Sequence, residues 1–546
     1  MPAQASSDMS VSSQSFDLEF DFVVVGAGSA GCVVAARLSE DETASICVIE
    51  AGGRDRNPWI HIPVGFGRLV SNPDLNWGFE TEPERELGGR RIPWPRGKVL
   101  GGSGSINGLV FLRGFATDYD EWERVGGTGW NYRDVLPYFR RCEHNVAGVD
   151  DWRSQNGPLT ISDIKSPSLP ARAFVEACSH LQYQRNYDFN GERADGVGFV
   201  QLNVRNGWRC SPAVGYLRPN IKRRNLELMT MTNVRKILFE GRVAVGVEAE
   251  QGGKPIRIRA RREVILCAGA IGSPQLLLMS GIGPPEELLE AGVSVQHELA
   301  GVGKNLQDHF LTLLAFRTNI PNTLNETVRN PLLSMKAALN WLVRGSGPFA
   351  VGGTEATLFA RSRPTEAVPD LQFQCVNFSL DSFEEGLHPW PGFMISFYVC
   401  RPRSRGEIKL RDPIGRLPPR IYANYLTHQD DWRIMLDGYR LSRRIVATEP
   451  INSMVASHIR PNADHITDEQ FADHVRDHGS SVFHPCGTTR MGTDQKAVVD
   501  PQLRVHGLAR LRVVDASVMP TMPSCNIHPA TIMIAEKGSD LLASAR

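Results

Sequence analysis

Phe22-Val-Val-Val25-Gly26-Ala-Gly28-Ser-Ala-Gly31-Cys32-Val-Val-Ala-Ala-Arg-Leu38 decides the fold. The continuous apolar run Phe22–Val25 suits a strand buried on both faces, as strands of a parallel sheet are. The pattern from Cys32 to Leu38 is helical, so the glycines fall at a strand-to-helix turn. They allow a tight turn, close backbone approach to a pyrophosphate, and close packing of helix on strand. The helix N-terminus adds free N–H groups and a positive dipole for phosphates. A second strand, Ser45-Ile-Cys-Val-Ile49, ends at Glu50, about 24 residues past Gly26, where a carboxylate accepts ribose hydroxyls. The chain thus opens with a Rossmann-like dinucleotide-binding unit. An acidic residue after the second strand disfavours a 2′-phosphate, hence NADP, while FAD and NAD both fit the motif.

At 546 residues the chain exceeds what one core usually serves, so two domains or one interleaved pair are expected. Hydrophobic residues at 41% and charged residues at 22% fit a soluble globular enzyme. Lys+Arg and Asp+Glu are both 60, so no net charge draws the whole chain to nucleic acid or an anionic membrane. The ten cysteines are scattered without a C-x-x-C pair. They read as buried thiols in a reducing compartment rather than a disulfide framework. Met1 to Phe16 is polar, rich in Ser and Gln, and lacks an apolar signal-peptide core, so a disordered tail is expected over 1–17. No run of about eighteen apolar residues appears, so no membrane-spanning helix is expected. The expected location is the cytoplasm.

Two further glycine-rich elements follow. Arg96-Gly97-Lys-Val-Leu-Gly101-Gly102-Ser103-Gly-Ser-Ile106-Asn107-Gly108 is too long for a hairpin turn. Such a loop can lie against a flat ring system and lend it N–H donors. Cys267-Ala268-Gly269-Ala-Ile-Gly272-Ser-Pro274 follows the strand-like Glu263–Leu266 and reads as strand, turn and Pro-started helix. Near the other end stand two histidines, in Ser480-Ser-Val-Phe-His484-Pro-Cys-Gly487-Thr and in Cys525-Asn-Ile-His528-Pro529-Ala-Thr531.

Together these stretches resemble the signature segments of the glucose–methanol–choline (GMC) oxidoreductase family. One runs from Gly97 through Asn107, Phe111 and Gly114 to Asp120; another from Gly269 through Pro274 to Gly283. The His-Pro-x-Gly-Thr turn and Asp515-Ala516-Ser517 are similar to the family as well, and the matches span Asp21 to Asp540. Asn76-Trp77-Gly-Phe, Asp188-Phe-Asn-Gly191 and Arg403-Ser-Arg-Gly406 resemble its bacterial alcohol dehydrogenase and choline dehydrogenase-like branch. The resemblance implies FAD. Gly26, Gly28, Ser29, Ala30, Gly31, Glu50 and Ala51 would hold its ADP half, with Val234, Ala268 and Gly269 near adenine. Trp77, Arg96 and Gly101 to Val110, including Gly102, Ser103, Asn107 and Gly108, would line the pyrophosphate and isoalloxazine. Asp515, Ala516, Pro529 and Thr531 would close the far side. Where some members attach FAD through a His, this chain has Ile106, which implies non-covalent FAD.

Oxidising an alcohol removes a hydroxyl proton and a hydride from the carbon. The family implies flavin N5 for the hydride; a neutral imidazole suits the proton. His484, aimed by its Pro-Cys-Gly neighbours, is the expected base, and His528 the group that stabilises developing alkoxide charge. Many dehydrogenase-like members carry Asn where this chain has His528, which leaves substrate and oxidase-versus-dehydrogenase character open. The expected reaction converts a primary alcohol, aliphatic or aryl, to the aldehyde, with oxygen, a quinone or another carrier as acceptor. The alternatives are a hydroxynitrile-lyase-like enzyme using flavin structurally, and a non-catalytic flavin-binding protein. No metal site is expected: His474 and His478 lack a third ligand and read as solvated histidines near a helix C-terminus. The apolar helix Leu332–Val343 reads as a wall or lid of the substrate pocket, with peripheral membrane contact left open.

The expected fold is α/β plus α+β: a discontinuous FAD-binding domain (18–160, 211–316, 480–546) and a substrate domain (161–210, 317–479) of antiparallel sheet backed by helices. Strand-like Leu371–Val376 and Phe393–Val399 carry that second sheet.

Overall fold

The apolar run at Phe22 forms the inner half of strand Leu18–Val25, which lies inside a seven-stranded sheet. The computed structural model describes residues 15–463 and 465–544, so residues 1–14 of the expected disordered tail lie outside the described residues. At the tail's end Phe16 sits under the Arg259 guanidinium, and Asp17 exchanges hydrogen bonds with the Arg257 backbone. Ile46–Ile49 and Lys254–Leu266 flank the first strand in parallel, and Leu226–Met229 extends the sheet in parallel beyond Ile46–Ile49. The far edge of Lys254–Leu266 is shared. Its first half pairs antiparallel with Val243–Gln251, then Thr232–Glu240; its last residues pair in parallel with Leu511–Val513.

Helix Ser29–Leu38 covers this sheet and is buried almost throughout. Its neighbour is the C-terminal helix His528–Ala543. Ser29 Oγ lies 3.2 Å from His528 Nδ1 at the two N-termini. At the corresponding point farther along both helices, Arg37 forks onto Glu536 at 2.8 and 2.9 Å. The helices therefore run side by side in the same direction, and their N-termini meet. Glu536 is fully buried and also accepts from Arg141 Nε (2.6 Å) and the Tyr216 hydroxyl (2.5 Å).

The second seven-stranded sheet is antiparallel, in the order Val455–Arg460, Phe310–Thr318, Gly392–Val399, Leu371–Val376, Thr354–Ala360, Gly196–Phe199. Both strands expected from the sequence are in it. Phe310–Thr318, at the seam of the expected domain division, belongs to this sheet, and Ser480–Ser481 pairs with its first residues. Leu169–His180, Gln429–Val446 and Asp468–His478 back the sheet; Tyr439 and Phe471 stack with centroids 4.2 Å apart. The sequence expectation of a Rossmann-like sheet plus a helix-backed antiparallel sheet is thus met.

Two local expectations are corrected. His474 is buried rather than solvated, because its ring faces the sheet and bonds the Leu313 carbonyl at 3.1 Å. The apolar helix expected as a pocket wall or lid spans Pro331–Arg344 and turns Leu332, Leu339 and Leu342 outward rather than into the protein. All ten cysteines are buried and free, as expected. Among the described residues no helix is long and apolar enough to cross a membrane.

A buried ionic network centres on Glu143, which opens the short strand Glu143–Asn145 of a separate three-stranded sheet. Arg113 and Glu143, both fully buried, pair directly. Arg153 bonds Glu143 at 2.9 Å and Asp188 at 2.5 Å. Glu143→Gln leaves Arg113 without a countercharge and should cost about 3–5 kcal/mol of stability in urea unfolding. Glu121→Gln, which breaks the exposed pair to Arg124, should cost under about 1 kcal/mol.

Candidate active site

The C-terminal ends of the parallel strands converge on the first glycine loop. A Cβ on Gly31 would lie 1.8 Å from the Gly26 carbonyl oxygen, and one on Gly26 (φ +99°) 2.6 Å from that of Cys267. A Cβ on Gly28 would make only an ordinary contact, with Gly102 Cα at 3.8 Å. Glu50, buried, accepts from Ala27 N–H (2.9 Å) and Gly52 N–H (2.8 Å), and burial raises its carboxyl to about 7. Its carbonyl takes the Thr232 N–H, which brings Val234 to the same end of the sheet as Ala51. Asp515 ties in the second glycine turn, accepting from Gly269 N–H (2.8 Å) and the Ser273 hydroxyl (2.6 Å) while holding Ser517. Ala516 receives the Gly487 N–H, and Ala268 precedes the helix Gly269–Met279.

The loop from Gly97 to Gly108 lies across this edge. Gly101 N–H bonds the Ala27 carbonyl at 2.8 Å, and Ser103 Oγ accepts from Gly97. Gly104 is wedged at both helix N-termini: a Cβ there would lie 2.8 Å from Ser29 Oγ and 3.1 Å from His528 Cε1. Asn107 accepts from Arg209 Nη1 at 2.7 Å, and Val110 bridges to Leu202. Trp77 stands apart, half-exposed and stacked on Phe79 under Lys98, tied to the group through its N–H to the Arg96 carbonyl. Pro529 occupies the first turn of the last helix, and the Thr531 hydroxyl is taken by the Ile527 carbonyl.

His484 is placed by a short antiparallel ladder. Residues 307–311 pair with 480–486: Phe310 with Ser481, Val482 N–H to the His309 carbonyl, and Gln307 with Cys486 in both directions. Asp308, buried, accepts the His484 N–H at 2.7 Å and holds Ser481 and Tyr425 hydroxyls; burial raises it to about 6. Phe483 has φ +64°, a conformation a bulky residue seldom adopts, and its carbonyl takes Arg96 Nη2 at 2.7 Å.

The ladder sets His309 against His484. His309 Nε2 lies 2.8 Å from the Cys400 carbonyl, and the two Nδ1 atoms are 2.9 Å apart. A carbonyl only accepts, so His309 carries its proton on Nε2 and its Nδ1 accepts from His484 Nδ1–H. His484 Nε2 is thereby left unprotonated and accepts from the Asn526 amide Nδ2–H at 3.1 Å. Burial first, then His309 and Arg96, push the His484 imidazole well below its ordinary range. His528 is lowered to about 4 by burial and Arg209, and His309 to about 4 by burial.

Three buried polar atoms around this group have no partner: His528 Nε2, Asn526 Oδ1 and Arg209 Nη2. Arg209, Asn526 and His309 were not anticipated from the sequence. Asn206-Gly207 does signal the hairpin that carries Arg209 (φ +51° and +84°), but nothing local marks its guanidinium as buried. Among the described residues no cluster of three or more His, Cys, Asp or Glu can hold a metal.

Family models described as GMC oxidoreductase match residues 20–311 and 402–535. The chain belongs to the GMC oxidoreductase family. It is 40% identical over 525 residues to the oxygen-dependent choline dehydrogenase of Brucella ovis, covering 96% of this chain and 95% of that one. It is 39% identical to the protein of that name from Rhizobium etli over the same shares. Among solved GMC-like structures, a pyridoxine 4-oxidase from Mesorbium loti superposes with TM-score 0.86 at 29% identity, covering 95% of this chain and 98% of that one. A formate oxidase of Aspergillus oryzae RIB40 superposes with TM-score 0.90 at 26% identity, covering 97% and 99%.

The two glycines should separate in a stability assay. Gly31→Ala forces backbone apart and should lower unfolding free energy of the ligand-free protein by about 1–3 kcal/mol. Gly28→Ala makes only an ordinary contact with Gly102 and should stay within about 0.5 kcal/mol of the parent.

Proposed function

We propose that this GMC oxidoreductase oxidises a primary alcohol, aliphatic or aryl, to its aldehyde, with His484 as base. FAD is the cofactor, and the residues present fit it. The uncrowded Gly28, the two converging helix N-termini and the unpartnered Arg209 Nη2 suit an anionic dinucleotide. Ile106, buried against Ile60, Leu69 and Val99, offers no nucleophile, so attachment is non-covalent. Gly26 to Gly31, Glu50, Ala51, Val234, Ala268 and Gly269 serve the ADP half. The loop from Arg96 to Val110, with Asp515, Ala516, Pro529 and Thr531, serves the remainder. The two-part domain division of the sequence reading is proposed with it.

The observation that carries the assignment is the tautomer relay from Cys400 through His309 to His484. It keeps Nε2 unprotonated and aimed at the Asn526 amide, where an alcohol hydroxyl can displace that contact. The hydroxyl proton passes to His484 Nε2. Bound FAD supplies the acceptor for the hydride that leaves the carbinol carbon. With Ser29 donating to His528 Nδ1, His528 Nε2 carries a proton and donates to the substrate oxygen as charge develops. Relatives named for choline and pyridoxine oxidation support an alcohol substrate. Oxygen, a quinone or another carrier takes the electrons onward.

The test is an anaerobic titration of the holoprotein with aliphatic, aryl and amino alcohols. Bleaching of the oxidised-flavin band is expected, and air admitted afterwards separates oxidase from dehydrogenase; a flavin that no alcohol bleaches would leave the lyase or non-catalytic reading. His484→Ala should cut kcat by about 10²–10⁴ with FAD retained.

A base must be neutral to act, and His484 is neutral above a folded-state pKa well below 6.5. Therefore kcat/KM should be flat through neutral pH and fall only on the acid side. His309→Ala removes one of the groups that depress His484, so its acid limb should move to higher pH. A limb that stays in place would show His309 to be merely structural.

A further inference from the structure

Helix Pro331–Arg344 carries its amphipathic pattern inside out. The side facing the protein is Ala337 and Trp341, whose indole N–H bonds the Gly207 carbonyl at 2.7 Å. On the opposite side Leu332, Met335, Leu339, Leu342 and Val343 are 62–73% exposed. Their helical spacing makes one continuous stripe. Beside it Trp208, 42% exposed, packs on Trp341 with centroids 4.3 Å apart. The charges on and next to the stripe are mostly basic, the neighbouring acid Glu326 being turned back to cap Thr323. Lys336 and Arg344 lie on the helix, Arg329 precedes it, and Lys165 bonds the Arg344 carbonyl at 3.0 Å. The helix contains no Asp or Glu.

We propose that this helix docks the protein on the surface of an anionic lipid bilayer, lying in the headgroup plane with its leucine stripe immersed. An apolar stripe rimmed by cations, with a tryptophan at the boundary, matches the two attractions such a surface offers. A second copy of the chain fits less well. A twofold contact would set the stripe against itself and gather Lys336 and Arg344 with no acid on the helix to receive them. The five side chains also fall far short of the roughly 20–30 residues a side that a stable interface uses. The zero net charge of the whole chain does not oppose docking, because the attraction is local within a Debye length of about 8 Å. The helix is linked to the active-site loop. It ends at Gly345 and continues through Pro348–Ala350 to Gly352, where a Cβ would lie 2.6 Å from the Gly108 carbonyl oxygen. The docked face thus runs directly into a stretch, 345–352, that packs on the glycine loop at Gly108.

The experiment is co-sedimentation of the holoprotein with vesicles of phosphatidylglycerol and phosphatidylcholine, against vesicles of phosphatidylcholine alone. Binding to the anionic vesicles should be about tenfold stronger and should be released as salt rises toward about 0.5 M. Leu339→Glu/Leu342→Glu, changed only at exposed positions, should remain in the supernatant while oxidising alcohol with a soluble acceptor at the parent rate. Parent protein that ignores both vesicles, or a double variant that still sediments, overturns the proposal. So does a dimer in light scattering that the double variant dissociates, since the stripe would then be a subunit contact.

Discussion

Everything at the site depends on two helices from opposite ends of the chain lying parallel with their N-termini together. Aligned helix dipoles repel at such a meeting point, because each N-terminus carries about half a positive charge. The structure holds them there from farther along. Glu536, fully buried, is gripped by Arg37 and Arg141 and by the Tyr216 hydroxyl. Unpaired, a carboxylate in that position would be costly, so the clamp is all-or-none. Its consequence is felt two helical turns away, where Ser29 and His528 come within 3.2 Å and Gly104 is squeezed between them. An anion brought to this point relieves the repulsion that the clamp maintains.

The second constraint is the ladder joining 307–311 to 480–486. It belongs to the second sheet at Phe310 and Ser481 and leaves it by Cys486, so the catalytic candidate stands at the seam of the two sheets. Register does the rest. His309 and His484 face each other because Val482 N–H reaches the His309 carbonyl, and the left-handed Phe483 then swings the next residue off the ladder. A slip of one residue would send the two rings to opposite faces.

What could be read in the sequence was what is locally encoded. The Gly26–Gly31 turn, the strands around it and the glycine loop at 97–108 carry their geometry in consecutive residues. His484 and His528 were visible because both stand in short Pro-bounded motifs. His309, Asn526 and Arg209 were not, since their roles arise from contacts across long separations in the chain. Arg209 also runs against expectation, a guanidinium being seldom fully buried without a carboxylate. The helix at 331–344 failed differently. Its period was plain, but period alone gives the existence of an apolar face and not the side on which the protein lies.

The electrostatics of the two ends then belong together. Burial lowers Arg209 to about 9 and Arg96 to about 10, yet both remain charged at neutral pH, and each depresses a neighbouring imidazole. Burial is the main cause that keeps His484 and His528 neutral, and the positive potential that recommends the site for an anionic cofactor adds to it before the site is filled. Negative charge arriving there must act in the opposite sense and make the imidazoles better proton acceptors. Cofactor binding and base strength are in this way one coupled property of the site. The tautomer relay through His309 directs that basicity to a single atom, His484 Nε2, beside the unpartnered groups of Asn526 and His528.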